Sequence, residues 1–291
     1  SGAAPAAASV SPGFDAWGRL RAGQRRAAEA LGFTAETWEL RDPRAYDAEL
    51  GAFCGPGFEA CVTQGCDVDS LGPAERLALE HPRVFASFGC HPKGSWLYSD
   101  ELEQRFLAAY ERCGTKAVAW GEFGLDYSHA VLGRMASNRR SQRSAFGRQL
   151  QLAVGRGFPL VLHTREAERD TLRMLRRWVP RDWKVHLHSF RGGATFFRAI
   201  LEGWPNAFFG FSGLVSMPDR DAQEVCRGCP LERLLLETDA PYLPMRPFPF
   251  SQPGHIPAVA ACIARLKGLG PDGAGVVLAA ARANARTMYG I

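Results

Sequence analysis

The chain has 291 residues, 46% hydrophobic and 22% charged, with 35 basic against 30 acidic side chains and a net charge of +5. This is a globular composition with room for one large domain or two smaller ones. It does not need disulfides to stabilise its core, and it lacks the basic bias of a dedicated nucleic-acid-binding domain. No run is long and apolar enough to span a membrane, and no charged start leads into a secretory core, so the sequence reads as intracellular, cytoplasmic or nuclear.

The eight cysteines are scattered, several within apolar runs, and read as buried reduced thiols. Cys226 and Cys229 form a CxxC without a second pair at zinc spacing, which leaves them outside the candidate metal ligands.

Residues 1–13, SGAAPAAASVSPG, are rich in Ala, Pro and Ser and read as a disordered or linker-like head. Residues 14–57 form a divergent N-terminal segment, with a helical stretch over 15–32 and a weak strand-like piece over 33–40. From residue 58 to 291 short apolar runs alternate with amphipathic stretches, as expected of one domain. The runs are FEACVTQG (58–65), VFASFGCH (84–91), KAVAWGEFG (116–124), PLVLHT (159–164), KVHLHSF (184–190), AFFGFSG (207–213) and RLLLETD (233–239). Near-continuous apolar runs of this length suit strands buried on both faces.

Helical patterns lie between and after them, over 99–114, 137–157 (Phe146, Leu150 and Val154 on one stripe), 166–179, 255–270 and 272–290. The alternation gives an α/β fold, a TIM-type (β/α)8 barrel whose first strand is absent or degenerate. An open doubly wound sheet is the rival, but its GxGxxG turn is missing after the first run.

Four runs end in a residue that can bind metal or move a proton: Glu122, His163, His188 and Asp239. In a parallel barrel such ends converge on one mouth. Each also has a plain structural reading, as a hydrogen-bonded core histidine or a turn carboxylate. Together, two histidines and two carboxylates make a first shell for a divalent ion such as Mg, Mn or Zn. His186 shares the strand face of His188 and reads as support behind it.

The chain resembles the TatD-related metal-dependent nucleases, an amidohydrolase-like barrel family. The resemblance rests on FGCHP (88–92), GEFGLDY (121–127), RQLQLAVGRGFPLVLHTRE (148–166), HLHSF followed by RGG (186–193) and LLLETDAPYLP (234–244), in the family's order. The large eukaryotic TatD-domain proteins are the most similar branch. The resemblance implies that Glu122 bridges two metal ions, that His163 and His188 complete one site, and that Asp239 binds at the other and handles the attacking water. It also implies that His91 and Arg165 meet substrate phosphate, and that the substrate is DNA, cleaved from an end with one or two divalent ions.

One departure matters. The family's first strand carries a His-x-His metal pair, whereas the first histidine in this sequence is His81. The sequence therefore leads to a phosphodiester hydrolase with one metal site impaired; the alternative is a catalytically inactive TatD-like domain that binds nucleic acid or protein. A small-molecule amidohydrolase ranks last, because no strand offers the lysine that such enzymes carboxylate. Oligomeric state is not legible.

Overall fold

Every one of the seven apolar runs forms a strand: β1 Cys61–Gly65, β2 Val84–Phe88, β3 Ala117–Asp126, β4 Leu160–Arg165, β5 Val185–Leu187, β6 Ala207–Phe211 and β7 Leu234–Leu236. The computed structural model describes Cys54 and residues 57–128, 138–245 and 251–291, all within one compact unit, Asp47–Ile291. The head (1–13), the segment 14–57 apart from Cys54 and Gly57, and the loop with Phe248 and Phe250 lie outside the described residues. So does the expectation of an absent or degenerate first strand.

The strands form one sheet in the order β1-β2-β3-β4-β5-β6-β7, each parallel to its neighbours. This is the α/β arrangement of a (β/α) barrel, with strands following one another around the sheet. β3 is buried at all ten positions and β6 at all five, which accounts for their lack of polar alternation. β4 is buried at its start and half-exposed at His163, Thr164 and Arg165, where it opens on the strand-end face.

Helices connect the strands: α1 Leu71–Glu80, α2 Asp100–Cys113, α3 Arg139–Gly155, α4 Glu168–Trp178, α5 Ala194–Gly203, α6 Arg220–Gly228, α7 Ile256–Lys267 and α8 Gly273–Tyr289. Local chemistry sets their ends. Ser99 caps α2 by accepting from the Leu102 N–H, and Gly114 ends it at φ 53°. Asn138 caps α3 in a reciprocal pair with Ser141. Phe146 and Leu150 of the expected stripe on α3 are buried, whereas Val154 is half-buried and its neighbour Ala153 is buried instead.

Most elements end a few residues from where the sequence reading put them, and two of these boundaries have a backbone cause. α4 begins at Glu168 because Glu166 adopts φ 52°, which is incompatible with a helical first turn. β5 stops at Leu187 because Ser189, at φ 40°, turns the chain out of the sheet. α1, α5 and α6 were not singled out by periodicity. All eight cysteines are free thiols, and both Cys226 and Cys229 are buried.

Candidate metal centre

All strands run the same way, so the side chains that follow their C-terminal ends meet on one face. Glu122 lies within β3 and is buried. On one side its Oε1 is 2.6 Å from His163 Nδ1; on the other its Oε2 is 3.6 Å from His188 Nε2. His188 Nε2 is in turn 3.3 Å from Asp239 Oδ1. The four strand-end residues picked from the sequence thus form a continuous chain: His163, Glu122, His188, Asp239.

His91, expected at the mouth to meet phosphate, also reaches this centre. Its Nε2 is 3.7 Å from Glu122 Oε1, and its ring packs edge-on against His163 at 4.5 Å between centroids. One donor atom each from His91, Glu122 and His163 lie within 4.8 Å of one another, so His91 is a candidate metal ligand, a role the sequence reading did not give it. Arg165 ends β4, and its Nε is buried with no hydrogen-bond partner among the described residues.

Asp126 holds the other nitrogen of His163, with Oδ2 3.2 Å from Nε2, while its Oδ1 accepts from the N–H and O–H of Ser128. Glu237 was missed by the sequence reading. It follows β7 directly, accepts from His188 Nδ1 at 2.7 Å through Oε1 and from the Ser189 N–H at 2.7 Å through Oε2. A carboxylate placed straight after LLL was the available signal, since burial there demands partners.

Two backbone-like side chains on α3 seat the strand ends. Gln149 accepts from the Cys90 N–H at 2.8 Å and donates to the Cys90 carbonyl at 3.2 Å, just before His91. Two turns earlier, Gln142 accepts from the Asp126 N–H at 2.8 Å and donates to the Asp126 carbonyl at 2.7 Å. Gly124, at φ 150°, lies against the His163 carbonyl so closely that any Cβ would overlap it. That contact brings β3 and β4 together beside the centre.

The electrostatics follow from burying both signs together. Burial opposes charge on Glu122, but His188, the His163 hydrogen bond and His91 outweigh it and hold the carboxyl well below its ordinary value. Burial likewise opposes a charged His188, yet the carboxylates Glu122 and Glu237 hold that ring well above 6.5. His163 is also raised: burial opposes its charge, and the hydrogen bonds to Asp126 and Glu122 prevail. His91 goes the other way, pushed by burial and by His163 down to about 3, so it is a neutral ring at pH 7.

The donor set fits a divalent cation. Ligands about 2.1 Å from a tetrahedral ion stand about 3.4 Å apart. The His91–Glu122, His188–Glu122 and His188–Asp239 separations of 3.7, 3.6 and 3.3 Å match this spacing. Imidazole nitrogens mixed with carboxylate oxygens suit Zn²⁺ or Mn²⁺.

A parallel barrel-type sheet with imidazoles and carboxylates gathered on its strand ends is the layout of a metal-dependent hydrolase. Comparison with known proteins narrows that class. The model of the TatD related DNase family matches residues 39–290. The human 3'-5' RNA nuclease TATDN2 is 36% identical over 242 residues, covering 80% of this chain and 30% of the human protein. Deoxyribonuclease Tat-D of Schizosaccharomyces pombe is 31% identical over 226 residues, covering 75% of this chain and 69% of that one. The crystal structure of the TatD homologue YJJV of Escherichia coli K12 matches with a TM-score of 0.72 and 25% identity, over 85% of this chain and 93% of that one. The chain belongs to the TatD-related DNase family. It spans less than a third of the human relative, whose remaining length has no counterpart in this match. Among the described residues no helix is long and apolar enough to cross a membrane.

Proposed function

We propose that this chain is a divalent-metal-dependent phosphodiesterase that removes nucleotides from an end of DNA or RNA. The observation that carries the reading is the chain of contacts from His163 through Glu122 and His188 to Asp239, assembled from four strand ends. Relatives described as a 3'-5' RNA nuclease and as a deoxyribonuclease support both the reaction and the substrate class.

Glu122, His163, His188 and Asp239 would hold the cation (Mg²⁺, Mn²⁺ or Zn²⁺), which when bound polarises the phosphate and acidifies a water. Glu122 presents one oxygen to each side of the centre and so can serve one ion or two. Asp239 has the most exposed side chain of the four, 29% against 14% or less for the others, which suits it to take the proton of the attacking water. Arg165 has a buried donor without a partner among the described residues, and a phosphate oxygen would satisfy it. His91, grouped with Glu122 and His163, is a further donor on which a second ion could draw.

The test is cleavage of end-labelled single-stranded DNA and RNA with Mg²⁺ or Mn²⁺, beside substrates whose ends are blocked. Glu122→Ala should abolish cleavage. Activity that survives this change sinks the assignment, and binding without turnover in the parent protein favours a domain that only binds.

A further inference from the structure

Behind His188, on the side away from Glu122 and Asp239, lies a polar arrangement the proposed reaction does not use. Glu237 Oε1 accepts from His188 Nδ1 at 2.7 Å and sits 3.0 Å from His186 Nε2, close to it but not in line for a hydrogen bond. His186 Nδ1 is 2.5 Å from the hydroxyl of Tyr289, in the last turn of α8. The His186 and Tyr289 rings meet edge-on at 6.0 Å between centroids.

The surroundings are apolar. His186 pairs in register with Val161 and Phe208, and Tyr289 packs with Phe208, Leu235 and Met288. Polar groups are costly to bury even when paired, so apolar residues would fill this space at lower cost. Room has also been made for the pair. Gly210, mid-strand in β6, faces the Glu237 carboxylate and lies so near His186 Nε2 that a Cβ would stand 2.5 Å from it, and closer still to the carboxylate.

We propose that His186 and Tyr289 are positioning residues for the metal centre: they fix the Glu237 carboxylate, which in turn holds the His188 ring with Nε2 facing Glu122 and Asp239. This rests on the metal-dependent reading of the site. This arrangement assigns the tautomers. The Tyr289 hydroxyl donates to His186 Nδ1, which leaves the proton of His186 on Nε2, toward Glu237. His188 donates from Nδ1, and once its Nε2 proton is displaced that nitrogen faces Glu122 and Asp239 with its lone pair open to a cation. Carboxylates behind ligating histidines set ring orientation and basicity, and their loss costs about 10–100-fold in metal affinity. Here the carboxylate is itself held, and the outermost anchor is a phenol on the C-terminal helix.

The experiment measures Co²⁺ binding to metal-depleted protein through its visible absorption, alongside urea denaturation. His186→Leu removes the donor and fills the space, His186→Gln returns an N–H near Glu237, and Tyr289→Phe removes a single oxygen. We expect His186→Leu to weaken Co²⁺ about tenfold with an altered spectrum, His186→Gln to recover most of that, and Tyr289→Phe to weaken it about threefold. If His186→Leu does not fold, Tyr289→Phe carries the test. Parent affinity and spectrum in both Leu and Phe variants, whatever their urea stability, overturn the proposal. So does a loss that Gln fails to restore, which would leave only a packing role. A parent protein that binds no Co²⁺ overturns this inference together with the metal reading. One that binds Co²⁺ but cleaves no nucleic acid sinks the nuclease reading alone.

Discussion

His163 and His188 stand at neighbouring strand ends and both touch Glu122, yet they are held differently. Both nitrogens of His163 face carboxylates, Glu122 at 2.6 Å and Asp126 at 3.2 Å, and both come from β3. His188 is gripped most closely on Nδ1, by Glu237 two strands along the sheet, and its other nitrogen faces Glu122 and Asp239 across 3.6 and 3.3 Å. The β4 half of the centre must give up a hydrogen bond to take a cation. The β5 half keeps its bond to Glu237 and has only to release the proton on Nε2. On this reading the His188 side sets affinity, and the His163 side sets what binding costs.

The largest expected effect separates the two in metal-free protein. His188→Ala takes from Glu237 one of its two 2.7 Å donors and leaves the carboxylate only the Ser189 N–H, and should cost about 3 kcal/mol. His163→Ala leaves Asp126 still bonded to Ser128 and Glu122 still facing His188 and His91, and should cost about 1–2 kcal/mol. Urea titrations of both variants check this, and equal losses would break the comparison.

Next in size is the pH response. Both rings are raised above 6.5, so their contribution to metal-free stability is complete below 6.5 and is lost as pH climbs through the folded values. Glu122 and Glu237 are lowered, so their contribution is complete above 4.5 and is lost as pH falls through their folded values. The metal-free protein should therefore draw most from this cluster between 4.5 and 6.5. A cation needs neutral rings, so its affinity should climb with pH above 6.5, about tenfold per unit for each proton displaced. Calorimetry in two buffers of different ionisation enthalpy counts those protons, and a pH-independent affinity contradicts the charged-ring assignment.

The smallest effect sharpens the His163 side. Burial resists a charged Asp126, but its hydrogen bonds to His163 and Ser128 hold it down at about 2. Asp126→Asn keeps the shape and removes the charge that favours a protonated His163. The metal-free protein should lose about 0.5–1 kcal/mol, and Mn²⁺ should bind about two- to threefold tighter with a shallower pH slope. Weaker binding would instead make Asp126 part of the ligand set.

The strands were legible because their burial on both faces leaves an unbroken apolar signature, as in AVAWGEFGLD and AFFGF. The four strand-end residues stood out as the polar terminators of those runs. Glu237 did not, because it shares the LLLETD terminus with Asp239 and one polar end drew the assignment. His186 was read as support, but its partner lies 103 positions away on α8, a distance that no local pattern bridges. The boundaries at Glu166 and Ser189 escaped for another reason: a left-handed φ at a non-glycine residue is imposed by tertiary packing and leaves no mark in composition.

Gln142 and Gln149 give α3 an unusual task. Each carboxamide pairs with both the N–H and the C=O of one residue, as a neighbouring strand would, so the helix acts as a ruler with two marks along the sheet's rim. The spacing of those marks is a property of helical pitch and not of any ionisable group. A single residue inserted between them would swing the second mark about 100° around the helix and release one of the two strand ends. The centre could then be detuned without altering one of the residues that compose it.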